Sequence, residues 1–179
     1  SSAFFDMAVY YGADFSAASP RKVTGAPHDC TWLDTAGKGV CVSDVVHGAP
    51  WSLLRWLSDH YGSSFAGGEQ EFHRAIIDNT VSGFANLAGL VGVPIETLLA
   101  QWAAMLYVDD RVLVDGTPVV TADPKLTMPS WNLFSVFEGI VFIIDGMEVQ
   151  IHLLEPVVRG FQDFTASFDV RAASTGYFL

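Results

Sequence analysis

The sequence predicts a mainly α fold, in which a small helical bundle precedes an extended C-terminal third with short β-strands. Apolar residues recur at helical spacing between residues 51 and 107. After Asp110 the pattern changes to short alternating runs separated by turn residues, which is typical of strands. We therefore expect a helical domain over residues 1–110 and an irregular, β-rich extension over residues 111–179.

The first predicted helix covers residues 3–11, and Gly12 suits its C-terminal end. The second lies in "GAPWSLLRWLSDHYG", residues 48–62. Pro50 suits the first turn of this helix, where a missing N–H costs nothing, and Gly62 suits its end. A third helix is predicted in "EQEFHRAIID", residues 69–78, because its apolar residues again recur at helical spacing.

Two more helices complete the predicted bundle. Ser82 is a plausible N-cap for the helix in "VSGFANLAGLVG". The helix in "VPIETLLAQWAAMLYVDD" has Pro94 in its first turn and Glu96 near the positive end of its dipole. Its core face is a continuous apolar stripe of Leu98, Leu99, Trp102, Met105 and Leu106.

The C-terminal third contains two kinds of β signal. A hairpin is predicted in "RVLVDGTPVV" around Asp115 and Gly116, followed by an irregular loop in "ADPKLTMPS". The segments "IVFIIDGMEVQIHLL" and "SFDVRAASTGYFL" are typical of strands. We expect the edge of the last segment, with Phe178 and Leu179, to be able to pair with another chain.

Composition excludes some classes of partner. The chain has 20 acidic and 9 basic residues and a net charge of −11, which repels a phosphate backbone, so nucleic acid is not an expected partner. The sequence contains no run of 18 uncharged apolar residues, so no membrane-spanning helix is predicted. Half the residues are hydrophobic and mean hydropathy is +0.32, so we expect part of the surface to meet other protein subunits, including those of a membrane complex.

Cys30 and Cys41 are the two cysteines, and the segment between them contains Gly37 and Gly39. Glycines give the backbone freedom for a turn that brings the sulfur atoms together, so we predict a disulfide that closes residues 30–41. Two buried thiols of a cytosolic protein are the alternative. Zinc is less favoured, because structural zinc sites have short paired spacings that these cysteines lack.

No catalytic residue, cofactor site or metal site is predicted. The sequence lacks a nucleophile elbow, a phosphate-binding loop and a dinucleotide-binding glycine pattern. The sequence "HDC" at residues 28–30 suggests a metal site or a thiol paired with histidine, but a disulfide at Cys30 removes the nucleophile. A metal between His60 and His73 is an alternative to two histidines at helix ends with one nitrogen in water.

Two further alternatives concern acidic and aromatic residues. Calcium could bind to four aspartates, although they lack the order of an EF-hand loop and its glutamate: Asp109, Asp110, Asp115 and Asp123. The favoured interpretation is solvated loop acids together with a pair of aspartates that ends a helix. Trp51, Trp56 and Trp102 could form a sugar-binding platform, but their helical spacing beside leucines favours the core. Trp51 and Trp56 are also the helical residues that we expect to contact a partner if their helix has a surplus apolar face.

The helical region resembles a known family. Two segments carry the resemblance, "PWSLLRWLSDHYG" and "FHRAIIDNTVSGFANLAGLVGVPIETLLAQWAAMLYVDD". Residues 45–110, which contain them, resemble the helical C-terminal subdomain of gluzincin-type zinc metallopeptidases, particularly the hyicolysin-like secreted bacterial ones. Weaker similarities are "MPSWNLF" at 128–134 and "STGYF" at 174–178. The resemblance implies a helical peptidase-like fold and a periplasmic or extracellular protein.

The chain departs from this family at the catalytic motif. Such peptidases use H-E-x-x-H, which places two histidine ligands on one helix face and a glutamate beside the metal-bound water. No two of the five histidines have that spacing, so the resemblance transfers no catalytic residue. We expect a non-catalytic interaction subunit with a peptidase-derived fold that docks on a larger extracytoplasmic or membrane-associated assembly. The alternative is the helical half of a secreted zinc peptidase whose catalytic half lies outside this chain.

Overall fold

The computed structural model describes residues 6–8, 11–14, 47–109, 113–114, 117–118, 123–139, 141–144 and 146–153. These residues are mostly helical and include few strands, which agrees with a small helical domain. The chain divides into two compact units, Leu53–Phe134 and a second one made of Ser1–Ser52 with Ser135–Leu179. The predictions for Cys30, Cys41, Phe178 and Leu179 concern residues outside the described ranges.

Four helices occupy the region where the sequence predicts the bundle. They are α1 (Gly48–Tyr61), α2 (Gly68–Ile77), α3 (Gly83–Val91) and α4 (Ile95–Val108). Pro50 lies in the first turn of α1, and a 3₁₀ turn follows at Gly62–Ser64. Gly92 ends α3 with φ of 69°, a left-handed conformation that glycine adopts without steric cost. The helix predictions for residues 48–108 are confirmed.

The core of the Leu53–Phe134 unit uses the predicted apolar stripes. Phe72 of α2 and Leu98 of α4 are fully buried, and Trp102 is only 4% exposed. Burial of one such side chain contributes about 1.5–3 kcal/mol to stability. Other buried apolar residues of this unit are Leu53, Trp56, Leu57, Leu87, Ala103, Met105, Met128 and Leu133.

Helices α3 and α4 are the most apolar pair in the described part of the chain. Each is too short to cross a membrane, as is every other helix in the described ranges. Together they are long and apolar enough, but they meet at a bend of 88°.

The predicted hairpin after α4 is confirmed where it is described. Strand β2 (Leu113–Val114) pairs antiparallel with β3 (Thr117–Pro118), with Leu113 opposite Pro118 and Val114 opposite Thr117. This register leaves two residues, Asp115 and Gly116, for the connection.

The second unit contains a three-stranded sheet of β1 (Gly12–Asp14), β4 (Val141–Ile144) and β5 (Met147–Leu153). Its strand order is β1-β5-β4, and both pairs are antiparallel. Residues 6–8 are helical, and Met7 and Ala8 are buried as their spacing indicates. Gly12, predicted as a helix end, instead begins a strand that pairs with Leu153. Gly48 packs so closely that a Cβ atom there would lie 2.3 Å from the Met7 backbone.

The C-terminal third is not uniformly extended. A helix, α5 (Leu133–Gly139), precedes β4, whereas the sequence predicts mainly irregular or β structure in this region. The apolar run of residues 134–144 contains both most of this helix and the strand β4. Short apolar runs are ambiguous between helix and strand because they span too few periods to separate the two.

Candidate functional site

A polar segment of the Leu53–Phe134 unit is held by side chains from helix α1. We call residues 123–131 the strap; it contains a 3₁₀ turn at Pro124–Leu126. The Trp56 indole N–H donates to the Lys125 carbonyl at 2.9 Å, and the His60 Nε2–H donates to the Thr127 carbonyl at 2.8 Å. These bonds satisfy the carbonyl of Lys125 within the 3₁₀ turn and that of Thr127 directly after it.

Two aspartates hold the backbone N–H groups of the strap and of the residues that follow it. Asp109, which is 4% exposed at the end of α4, accepts from the Met128 N–H at 3.0 Å and the Leu133 N–H at 3.1 Å. Asp59 of α1 accepts from both the backbone N–H and the hydroxyl of Ser130. Charge-assisted bonds of this kind are stronger than neutral ones, so both aspartates are structural anchors.

The same Asp59 carboxylate belongs to an ion-pair network. Arg55 donates to Asp59 Oδ1 from Nε at 3.1 Å and from Nη2 at 2.7 Å. It also donates to both carboxylate oxygens of Glu69, at 2.5 and 2.9 Å. The hydrogen bonding that Glu69 accepts from Arg55 lowers the pKa of Glu69, and the same interaction is the largest cause of the raised pKa of Arg55. The network joins α1 to α2.

The surroundings of the strap lower the pKa of His60. Burial lowers the pKa of His60, and the positive charge of Lys125 lowers it further. The Thr127 carbonyl, Asp59 and Asp123 act in the opposite direction. Lys125 lies 3.7 Å above the Tyr61 ring, and burial lowers the pKa of this lysine.

Ser58 and His73 form a pair that superficially resembles a nucleophile and its base. The Ser58 Oγ lies 2.7 Å from His73 Nε2 and donates to the Leu54 carbonyl at 2.8 Å. Ser58 is only 4% exposed, and the nearby Glu69 carboxylate lies 3.8 Å from the same Nε2. A catalytic base is oriented through its other nitrogen, so we interpret this pair as a packing contact between α1 and α2.

The structure bears on two alternatives from the sequence, a metal between His60 and His73 and calcium at the aspartates. The Nε2 atoms of His60 and His73 have different partners, Thr127 and Ser58. Asp109 is the C-cap residue of α4, which agrees with its interpretation as one of a pair that ends a helix, and it is buried with both oxygens bonded to backbone N–H groups. Asp123 is exposed and caps the 3₁₀ turn by accepting from the Lys125 N–H at 2.9 Å. The described ranges contain no group of three His, Cys, Asp or Glu residues that could hold a metal.

The turn between α2 and α3 presents apolar side chains to solvent. Ile77 is 78% exposed and Val81 is 48% exposed; we call these two residues and the turn between them the apolar tip. Asn79 fixes the turn because its Oδ1 accepts from the Val81 N–H at 2.9 Å. Its Nδ2 donates to Asn86 Oδ1 at 2.7 Å. Asn86, which is 4% exposed, in turn donates to the Ile76 carbonyl at 2.8 Å.

The apolar tip was not predicted from the sequence as a contact surface. The residues predicted for contact lie elsewhere: Trp56 is fully buried and Trp51 is half-buried. The burial of Trp56 and Trp102 agrees with the interpretation that the tryptophans belong to the core. Neither Asn79 nor Asn86 signals the tip in the sequence, because the role of each depends on hydrogen-bond partners that spacing does not reveal.

Comparisons with protein-family models, with curated proteins and with solved structures give no match for this chain.

Proposed function

We propose that this protein is a non-catalytic interaction subunit that docks on other protein subunits through the apolar tip. The observation that carries this proposal is the 78% exposure of Ile77 on a turn fixed by hydrogen bonds. An exposed large apolar side chain loses unfavourable contact with water when a partner covers it. Because Asn79 and Asn86 already order the turn, little conformational entropy is lost on binding.

The polar network at the strap supports a structural role for the residues that carry charge. Asp59, Asp109 and His60 all bind groups of their own unit, and the Ser58 hydroxyl is buried. These residues stabilise the unit that presents the tip. We propose a peptidase-derived origin on the sequence resemblance of residues 45–110 to the helical subdomain of zinc peptidases.

Site-specific cross-linking tests this function. A photoreactive residue at position 77 should cross-link the chain to a protein partner in native extracts. The matched control carries the same residue at position 70, where Gln70 is exposed on the same helix. Equal cross-linking from both positions, or none from position 77, contradicts the proposal.

Metal and activity measurements test the non-catalytic part separately. We expect the purified chain to hold no stoichiometric zinc and to cleave no unfolded protein. One zinc per chain, together with hydrolysis that a chelator abolishes, would show that the chain is a peptidase. The extracytoplasmic location that we propose depends on the disulfide, whose test is given in the Discussion.

A further inference from the structure

The charge distribution around the apolar tip differs from that of the rest of the chain. Residues 79–95 contain no Asp, Glu, Lys, Arg or His, although the whole chain has 20 acidic residues and a net charge of −11. At the border of this uncharged stretch, Arg74 and Asp78 lie one helical turn apart on either side of Ile77. Both are exposed. The tip is therefore an apolar centre bordered by Asp78 and by Arg74, which also bonds to Glu71 of its own helix.

This arrangement suits a contact between identical surfaces. In a two-fold contact, residue i of one subunit faces residue j of the other, and the reverse pair forms as well. Two copies of an acidic chain repel each other wherever acidic surface meets acidic surface. An uncharged patch avoids this repulsion, and one Arg74 and one Asp78 per copy give two opposite-charge pairs. A basic partner, in contrast, would be attracted to the acidic parts of the surface.

Resting on the proposed docking role of the tip, we infer that its partner is a second copy of this chain. The copies meet through Ile77 and Val81, and Arg74 of each copy pairs with Asp78 of the other. Arg74 is available for this pairing because its bond to Glu71, at 3.1 Å, joins two exposed side chains and contributes little stability. The fixed Asn79 turn holds Val81 in the same orientation in both copies.

Sedimentation of the purified full chain over a concentration series tests this inference. We expect a monomer–dimer equilibrium, and Ile77→Ser should weaken it at least tenfold, because about 1.4 kcal/mol of lost contact free energy corresponds to tenfold in affinity. Monomer at every concentration, or a dimer that Ile77→Ser leaves unchanged, overturns the inference. Ile77 is exposed, so this substitution should leave the fold intact.

A charge-reversal mixture tests the two-fold geometry. Arg74→Glu and Asp78→Arg should each weaken self-association several-fold, because each places two like-charge pairs across the axis. Mixing the two variants should restore it, since both pairs across the mixed contact are then opposite in charge. Structural changes that each substitution causes within its own subunit would persist in the mixture, so they cannot restore association. Failure of the mixture to associate more tightly than either variant alone overturns the inference.

The control for net charge is Glu148→Arg, an exposed position on β5 that changes the total charge as much as Asp78→Arg does. It should not weaken the dimer. Both substitutions make the acidic chain less negative and so lower the repulsion between copies, which means that a net-charge effect alone would tighten the dimer. Weakening by Glu148→Arg equal to that by Asp78→Arg would show that the loss is not specific to the Arg74–Asp78 contact and overturns the inference. If the chain is monomeric but position 77 still cross-links to another protein in extracts, the second copy is excluded and the docking function stands.

Discussion

The carboxylate of Asp109, at the end of α4, holds the backbone N–H of Leu133, where α5 begins, at 3.1 Å. The other carboxylate oxygen accepts from the N–H of Met128 in the strap. One buried side chain therefore fixes the path of the chain between these two points.

Removal of this carboxylate should destabilise the protein strongly. Asp109→Ala leaves two backbone N–H groups without their acceptor, so we expect a loss of about 2–4 kcal/mol. Urea unfolding measures it. The matched control is Asp123→Ala, which removes an exposed cap and should cost about 1 kcal/mol or less. Equal losses for the two variants would show that Asp109 is not an anchor.

Trp102 should be an energetic centre of the helical core. It is 4% exposed on the apolar stripe of α4, so Trp102→Ala should reduce the free energy of unfolding by about 3–5 kcal/mol. Trp51→Ala should cost less, because Trp51 is half-buried. A loss below about 1 kcal/mol for Trp102→Ala is typical of surface positions and would contradict its assignment to the core.

His60 should make stability depend on pH. Burial lowers its pKa in the folded state below the unfolded value of about 6.5. Between these two values the unfolded chain binds a proton that the folded chain does not, so stability falls as the pH decreases through this window. His60→Gln provides the comparison, because an amide N–H can still donate to the Thr127 carbonyl but does not titrate.

Denaturant unfolding of both proteins between about pH 7 and pH 5 measures this effect. The stability of the original chain should fall more steeply than that of the glutamine variant. Groups that titrate in both proteins cancel in the comparison. Parallel curves would show that His60 does not contribute to the pH dependence.

The disulfide between Cys30 and Cys41 stays a prediction from the sequence. Closure of a loop of this size stabilises by about 3 kcal/mol in the chain-entropy model, so the double variant Cys30→Ala with Cys41→Ala should lose roughly that amount. Thiol titration of the denatured, unreduced protein should find no free thiol. Two free thiols would refute the disulfide and remove its support for an extracytoplasmic location.

The sequence predicts the helices better than it predicts the site. Residues such as Leu98, Trp102 and Met105 repeat at the helical period, so the stripe on α4 is visible without the fold. The hairpin around Asp115 and Gly116 is equally local.

The strap and the tip depend on contacts that leave no periodic pattern. The bonds of Trp56 to Lys125 and of Asp59 to Ser130 join residues far apart in sequence, and Asp109 is indistinguishable from a solvated acid by spacing alone. Asn86 has the spacing of an ordinary helical residue, yet its side chain fixes the turn that exposes Ile77. Such sites become visible only when the hydrogen-bond partners of each polar group are known.

The central claim is that the protein acts by docking through the apolar tip. Its most direct test is the native size of the chain in extracts, measured for the original chain and for the double variant Ile77→Ser with Val81→Ser. The account predicts that the original chain elutes well above 19.4 kDa and that the double variant shifts towards this mass. Elution of both near 19.4 kDa, or no shift in the double variant, would contradict it.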